Sequence, residues 1–329
     1  MRIENIVALT YGKVVNNPFV SIFEDIVLDA KNVKRGDLFV AFCEDEIELA
    51  ILNGAYGIIF DKPTQITDSE IAWIKVEDLD VAVKKLIRFR LVEKDVTAYM
   101  CDNITLQLAN QIVTDSSFVV LTKELKISFK TLWNLPQKAN IVFSPTLTCS
   151  DIFTNIKKIP KHTKDIVKIV EQTLFEISFV YDEVFYERQS LSPIFLDNLL
   201  QVVNLLKKLK VNFKIKKLHL TNHFEAIFVN KNLQKKEFGN SENVVIFETD
   251  FDLLKKEMDF LTQKASWGRT IYILPKVFKN ISENYFLYED NEDIFNILKN
   301  EQYNFALIFD KNKSILDYIK PANQQPTLF

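Results

Sequence analysis

Residues 38–42 read Leu38-Phe39-Val40-Ala41-Phe42, an apolar run with no polar break. A strand with one face in water alternates apolar and polar residues, so an unbroken run belongs to a strand covered on both faces. The residues before it sharpen that assignment. Val27-Leu28 ends a short apolar strand, Asp29-Ala30-Lys31 is a polar step, and Lys34-Arg35-Gly36-Asp37 is a basic turn. Gly36 reaches positive φ at no steric cost and Asp37 can bond nearby backbone amides, so Gly36-Asp37 marks the turn itself.

The flanking segments supply the layers such a strand requires. Asn16-Asn17-Pro18 is a turn after a first helix or strand. Asp45 to Asn53 carries Ile47, Ala50 and Ile51 on one helical face, with Asn53-Gly54 as its stop. Strands follow at Tyr56 to Phe60 and Ile71 to Val76. Val81 to Leu91 is an amphipathic helix, with Val81, Val83, Leu86, Ile87 and Leu91 expected inward and Lys84, Lys85 and Arg88 outward. This alternation describes a small α/β domain ending near Lys94.

Val96 to Cys101 is the next strand, Ile104 to Val113 the next helix, and Ala139 to Phe143 a further apolar strand. Phe153 to Ile169 reads as a lysine-rich helix whose Lys157, Lys158, Lys161, Lys164 and Lys168 form a solvated face. Ile177 to Tyr181 and Val184 to Tyr186 flank Asp182-Glu183 as a hairpin. Ile194 to Leu209 is a helix with Leu196, Leu199, Leu200, Val203, Leu206 and Leu209 on one broad face. Residues 213–240 are a polar connection containing the strand Ala226 to Val229. His219 and His223 lie in it at a spacing that can bind metal on a helix. With β-rich flanks and no carboxylate partner in view, they read as two unrelated surface histidines.

The last third alternates strands at Asn243 to Phe247, Thr270 to Leu274 and Phe305 to Phe309 with helices at Leu253 to Lys264, Ile294 to Leu298 and Ser314 to Ile319. That order gives a parallel sheet. At 329 residues, two or three domains are expected. The net charge of −3 is spread without a basic block, which leaves no electrostatic case for nucleic acid. No stretch has the uninterrupted apolar length of a membrane span, and the opening residues lack a signal-peptide core, so a cytoplasmic protein is expected. Cys43, Cys101 and Cys149 are widely spaced and suggest buried free thiols rather than a disulfide or zinc framework. Only six glycines are present, which matters because loops that cradle phosphates with backbone amides need several.

The stretch LDAKNVKRGDLFVAF resembles the opening of the Mur ligases, in particular the member that adds D-alanyl-D-alanine to a UDP-muramoyl tripeptide. There the pattern is roughly D-S-R followed by G-D-L-F-V-A. Glu48 to Ala55 and Tyr56 to Asp61 are similar to the family's next helix, Gly-Ala turn and strand. The resemblance implies a three-domain α/β arrangement with a reduced central domain and a Rossmann-like C-terminal parallel sheet. Residues 1–94 would correspond to the UDP-substrate domain, 95–240 to a shortened central ATPase domain, and 241–329 to the C-terminal domain. By the same resemblance Asp29, Lys31 and Arg35 are the substrate-binding candidates. Lys31, in place of arginine, keeps a charge but loses the forked geometry that suits a diphosphate.

The chemistry-bearing motifs of the family are not matched. Its phosphate loop, roughly G-x-x-G-K-T-T, falls on Met100-Cys101-Asp102-Asn103-Ile104-Thr105, where only Thr105 corresponds. A carboxylate about 4 Å from a phosphate costs roughly 4 kcal/mol at a surface-like dielectric. Ser144 stands where the family has a metal-binding glutamate, and hard cations favour charged oxygen. Only Asn198 survives of the family's H-N-x-x-N-x-x-A helix opening, and it reads as solvated. The D-D-S-Y-N-A-N-P signature falls on Phe247-Glu248-Thr249-Asp250-Phe251-Asp252, and the late G-S-R loop near Phe309-Asp310-Lys311-Asn312.

The combined expectation is a non-catalytic Mur ligase homologue, a pseudoenzyme without cofactor, metal or catalytic residues. It would act as a binding or scaffold protein in bacterial peptidoglycan synthesis or cell shape. Its partners would be a UDP-muramoyl peptide and a cell-wall synthesis or cytoskeletal protein. One alternative is a divergent ATP-dependent UDP-N-acetylmuramoyl-peptide ligase adding an amino acid or dipeptide, which needs a phosphate site elsewhere. Another is a module that only binds UDP-muramoyl precursors through the first domain.

Overall fold

A computed structural model describes residues 1–145, 150–160, 167–237, 239–278 and 285–310, together with Ile315 and Ile319. Cys149, Lys161, Lys164, Lys311, Asn312 and most of the expected 314–319 helix lie outside the described residues. The chain divides into two compact units. One comprises Met1–Leu106, Val113–Pro160 and Lys208–Asn212; the other comprises Gln107–Ile112, Lys161–Lys207 and Phe213–Phe329.

The first unit begins with α1 (Ile3–Thr10), β1 (Lys13–Val14), β2 (Ile26–Val27), β3 (Leu38–Val40), α2 (Ile47–Leu52), β4 (Gly57–Phe60), β5 (Ala72–Lys75) and α3 (Leu79–Glu93). The strands form one sheet in the order β1-β5-β4-β3-β2, parallel except for β1. The apolar run at 38–42 is covered on both sides, as its composition requires. Leu38 and Val40 join Ile59 and Ile74 in a core with Ile6 of α1 and Ala82, Val83, Leu86 and Ile87 of α3. Phe39 and Ala41 face the other way, onto Ile47 and Ala50 of α2, with Trp73. Burying one such Ile, Leu or Phe side chain contributes about 1.5–3 kcal/mol. Val81 does not belong to the inward face of α3. It is 46% exposed, because it sits in the first turn, where its amide bonds the Asp78 cap while its side chain points to solvent.

A second sheet follows, from β6 (Thr97–Met100), α4 (Asn103–Ile112), β7 (Phe118–Leu121), α5 (Leu125–Trp133), β8 (Asn140–Phe143) and β9 (Ile156–Lys158). All four strands are parallel, in the order β7-β8-β6-β9. Its core is continuous with that of the first sheet through α3, since Phe129, Leu132, Ile141 and Phe143 belong to the cluster that contains Leu86. Among the described residues, the expected lysine-rich helix at 153–169 is not formed. Ile156–Lys158 is instead an edge strand beside β6, and β10 (Lys168–Gln172) is an edge strand of the next sheet. Both have every residue exposed, so lysines suit a strand edge here as well as they would a helix face.

In the second unit β10 pairs with β11 (Ile177–Tyr181), which makes the expected hairpin with β12 (Val184–Gln189). Asp182 and Glu183 both take positive φ, at 54° and 64°, as a two-residue hairpin turn demands. Then come α6 (Leu196–Leu209), β13 (Glu225–Val229), β14 (Asn243–Glu248), α7 (Phe251–Lys264), β15 (Thr270–Pro275), β16 (Tyr285–Tyr288), α8 (Asn291–Asn300) and β17 (Phe305–Phe309). The sheet order is β13-β14-β17-β15-β16, parallel apart from β13. β16, which the sequence reading lacked, is a half-exposed edge strand with the pattern Tyr-Phe-Leu-Tyr. Ile315 and Ile319 are buried against this sheet with Ile294 and Leu298. Among the described residues no helix is long and apolar enough to cross a membrane.

Cys43 is exposed rather than buried, because its position opens the acidic turn Glu44–Glu46 at the chain surface. Cys101 is half-buried, and burial followed by the Asp102 charge pushes its thiol well above the ordinary range. Asn198 is partly buried rather than fully solvated.

Candidate functional site

Three places hold the residues singled out by sequence, and each is built differently. The first is a groove of about 980 Å³ in the first unit. One wall is the edge of β2 with the polar step and basic turn after it. The other is the end of α3 and the whole face of α5 carrying Lys126, Phe129, Lys130 and Trp133. The walls are joined at Asp25, whose Oδ1 accepts the Trp133 indole N–H at 2.6 Å and the Ile26 amide at 2.9 Å. Arg90 donates to the Trp133 carbonyl at 3.2 Å and lies 3.3 Å from Glu93.

Asp29 and Arg35 line this groove, whereas Lys31 is exposed and not part of its lining. Asp29 is occupied locally. Its carboxylate accepts the Lys31 amide at 2.9 Å and the Asn32 side-chain amide at 2.7 Å, capping the short turn Ala30–Asn32. Arg35 donates to the Tyr56 hydroxyl at 3.2 Å, a bond that raises its already high pKa and holds the guanidinium on the rim. The backbone beneath Arg35 is set by Gly54, which has φ +96° and follows α2. The Gly54 and Ala55 amides return to Ile51 and Ala50, closing the helix, and the Gly54 carbonyl accepts the Gly36 amide at 3.0 Å. A Cβ at position 54 would stand 3.0 Å from the Arg35 Cα. Lys34, Lys126 and Lys130 also line the groove. Lys126 and Lys130 lie some hundred residues away from the resembling segment, and only the i, i+4 spacing on α5 pointed to their sharing a face.

The second place is the junction of β6 and α4. The Asp102 carboxylate accepts the Thr105 amide at 2.8 Å and the Thr105 hydroxyl at 2.9 Å, and the Asp102 carbonyl accepts the Leu106 amide. This is a helix N-cap that places a full negative charge where the first-turn amides concentrate positive potential. Ser144, at the end of β8, is buried and donates to the Asn103 side chain.

The third place is at the end of β14, where nothing in the sequence signalled that Glu248 and His223 meet. Glu248 is fully buried, and its Oε1 accepts the Thr249 and Asp250 amides at 2.7 and 2.6 Å, while its Oε2 accepts the Phe224 amide at 3.2 Å. The Nδ1 of His223 lies 2.7 Å from Oε1. His223 is therefore a core histidine with a carboxylate partner, not a surface residue. The reading failed because that partner is 25 residues away, across a strand pair. His219 is exposed. Glu257 of α7 is also fully buried, and its carboxyl oxygens meet no donor among the described residues. Burial, then its bond to Glu248 and that carboxylate's charge, push Glu257 up to about 11. It therefore keeps its proton at neutral pH and donates it to Glu248. Glu248 moves the opposite way. Burial opposes its ionisation, yet bonds from His223, Glu257 and the Asp250 amide hold it below the ordinary carboxylate range. The spacing Leu254, Glu257, Leu261 puts Glu257 in the middle of the inward stripe of α7, and that was the missed signal. Among the described residues no three His, Cys, Asp or Glu side chains are grouped to hold a metal ion.

No protein-family model matches the sequence, and no curated protein matches it. Solved structures do. A crystal structure of MurF from Acinetobacter baumannii superposes with a TM-score of 0.53 over 96% of this chain and 98% of that one, at 10% identity. MurF ligase from Thermotoga maritima, solved in complex with ADP, gives 0.52 over 90% and 97%, at 13% identity. A further Acinetobacter baumannii structure, named as a UDP-N-acetylmuramoylalanyl-D-glutamyl-2,6-diaminopimelate–D-alanyl-D-alanyl ligase, gives 0.50 over 96% and 97%. The fold is that of the MurF ligases. The α/β class and the parallel sheets expected from the sequence are thereby met, at an identity that speaks for architecture alone.

Proposed function

We propose that this protein is a non-catalytic relative of the Mur ligases, acting as a binding or scaffold protein in peptidoglycan synthesis or cell shape. The observation that carries the proposal is the Asp102 cap. In a nucleotide-binding relative the β6–α4 junction would offer free amides to a phosphate. Here the Thr105 amide and hydroxyl are both bonded to a carboxylate of the chain itself. The residues of this junction do not fit a triphosphate. No glycine or lysine occurs between Met100 and Thr105, and Ser144 brings a neutral hydroxyl, already bonded to Asn103, where a magnesium ion would need charged oxygen.

On this reading the three-part division at about residues 94 and 240 follows the family, and the protein works in the bacterial cytoplasm. The groove of the first unit is where a UDP-muramoyl peptide would bind, with Arg35 on its rim and Asp29 shaping the turn beneath. Lys34 and Lys130 strengthen that assignment, since neither ammonium has a side-chain partner among the described residues. A thermal-shift series tests the two halves separately, because a ligand that binds only the native state raises its melting temperature. MgATP is expected to leave the melting temperature unchanged. UDP-N-acetylmuramoyl peptide is expected to raise it, less so in Arg35→Ala than in Lys31→Ala. A rise with MgATP, or turnover of ATP with a muramoyl peptide, would overturn the non-catalytic reading.

A further inference from the structure

The second unit contains a cavity of about 470 Å³ that the proposed function does not use. It lies at the amino ends of the parallel strands, beside Val244 at the start of β14 and Phe305 at the start of β17. Ligands of open α/β sheets ordinarily bind at the opposite, carboxyl ends. Its walls are aromatic. Phe175 and Phe228 meet edge to face at 5.6 Å on one side, and Trp267 and Phe305 do the same at 5.4 Å on the other. Phe260 of α7 completes the apolar lining. Trp267 is 74% exposed, an unusual fate for an indole unless something covers it.

Two opposite charges share this lining without pairing to each other. Lys264, at the last turn of α7, has no carboxylate partner among the described residues. Glu242 accepts the Lys231 amide at 2.9 Å and has no cation partner among them. A ligand carrying one charge alone would satisfy one of these groups and be repelled by the other. A compound with an aromatic group and both charges would satisfy all three features. We infer that this cavity binds a small aromatic zwitterion with the chemistry of an aromatic α-amino acid. Its ring lies among Phe175, Phe228, Phe260 and Trp267, its carboxylate faces Lys264 and its ammonium faces Glu242. The volume lies in the lower part of the range of small-molecule sites.

The inference is independent of the groove and of the Asp102 cap, so it stands or falls without them. Calorimetry and Trp267 fluorescence of the full chain, with L-phenylalanine as the probe, test it directly. L-phenylalanine is expected to bind saturably at one site. Lys264→Met should weaken it about tenfold while leaving L-phenylalaninamide, which lacks the carboxylate and is repelled by the lysine, bound as tightly as before or more tightly. Glu242→Gln should weaken L-phenylalanine similarly and leave 3-phenylpropionate, which lacks the ammonium and is repelled by the glutamate, bound as tightly as before or more tightly. Both side chains are exposed, so neither variant threatens the fold. Absence of saturable binding would overturn the inference, and so would binding indifferent to both substitutions, which would mark a merely apolar cavity.

Discussion

The two strand-to-helix junctions, β6 to α4 and β14 to α7, use carboxylates in contrasting ways. At the first, Asp102 acts within three residues, bonding Thr105 in the first turn of the helix it opens. At the second, Asp250 makes the local cap by accepting the Asp252 amide, while Glu248 is drawn beneath it into the core. There Glu248 gathers three amides, His223 and the protonated Glu257. The difference teaches that one charge type can serve as a local stop or as a tertiary rivet. A local cap costs little to remove, because it serves only the first turn. A rivet leaves buried donors unsatisfied when removed.

The comparison is broken most forcefully at Glu248. Glu248→Ala strands three amides and the Glu257 hydroxyl in the core, so urea unfolding is expected to report a loss of roughly 3–5 kcal/mol. A loss below about 1 kcal/mol would mean that the cluster is incidental.

Next in size is the pH dependence. Glu257 in the folded chain retains a proton that the unfolded chain releases above its ordinary carboxylate pKa. Its contribution to stability is therefore full below that value and declines as pH rises towards about 11, by at most about 1.4 kcal/mol per pH unit. Glu248 has a depressed folded pKa, so its contribution is present above the unfolded value and is lost as pH falls through the folded one. Glu257→Gln keeps a donor towards Glu248 without the titration, and should flatten the alkaline decline while leaving the acid loss. An unaltered alkaline slope would remove Glu257 as its source.

Gly54→Ala comes third. The positive φ and the 3.0 Å approach to Arg35 predict a loss of about 1–3 kcal/mol, with the basic turn displaced and UDP-muramoyl peptide binding weakened alongside. The smallest effect is at the local cap. Asp102→Ala should cost about 1 kcal/mol, as ordinary N-caps do. Equal losses at Asp102 and Glu248 would erase the distinction between stop and rivet.

This contrast also explains what was legible in the sequence. The unbroken run at 38–42, the Asn53-Gly54 stop, the Asp182-Glu183 turn and the strand-helix alternation from residue 243 to residue 309 are short-range signals, and each is found among the described residues. Asp102 was read only as a residue standing where the resembling family has its phosphate loop, and its role as a cap for Thr105 is a finding of the structure. The strands at 156–158 and 168–172 were missed because lysines are tolerated on an exposed edge as on a helix face. His223 was misplaced because its partner lies on another strand, and Glu257 escaped notice because charge outweighed its position between Leu254 and Leu261. Asp29 and Arg35 share the lining of the groove and Lys31 lies outside it, while the α5 wall with Lys126, Lys130 and Trp133 is brought in only by tertiary packing.

Photocrosslinking with 8-azido-ATP and magnesium, followed by mapping of the labelled peptides, asks whether the β6–α4 junction holds a nucleotide. No saturable labelling of residues 97–113 is expected, in the native chain or in Asp102→Ala. Saturable labelling of that segment in the native chain, competed by ATP, would contradict the non-catalytic reading.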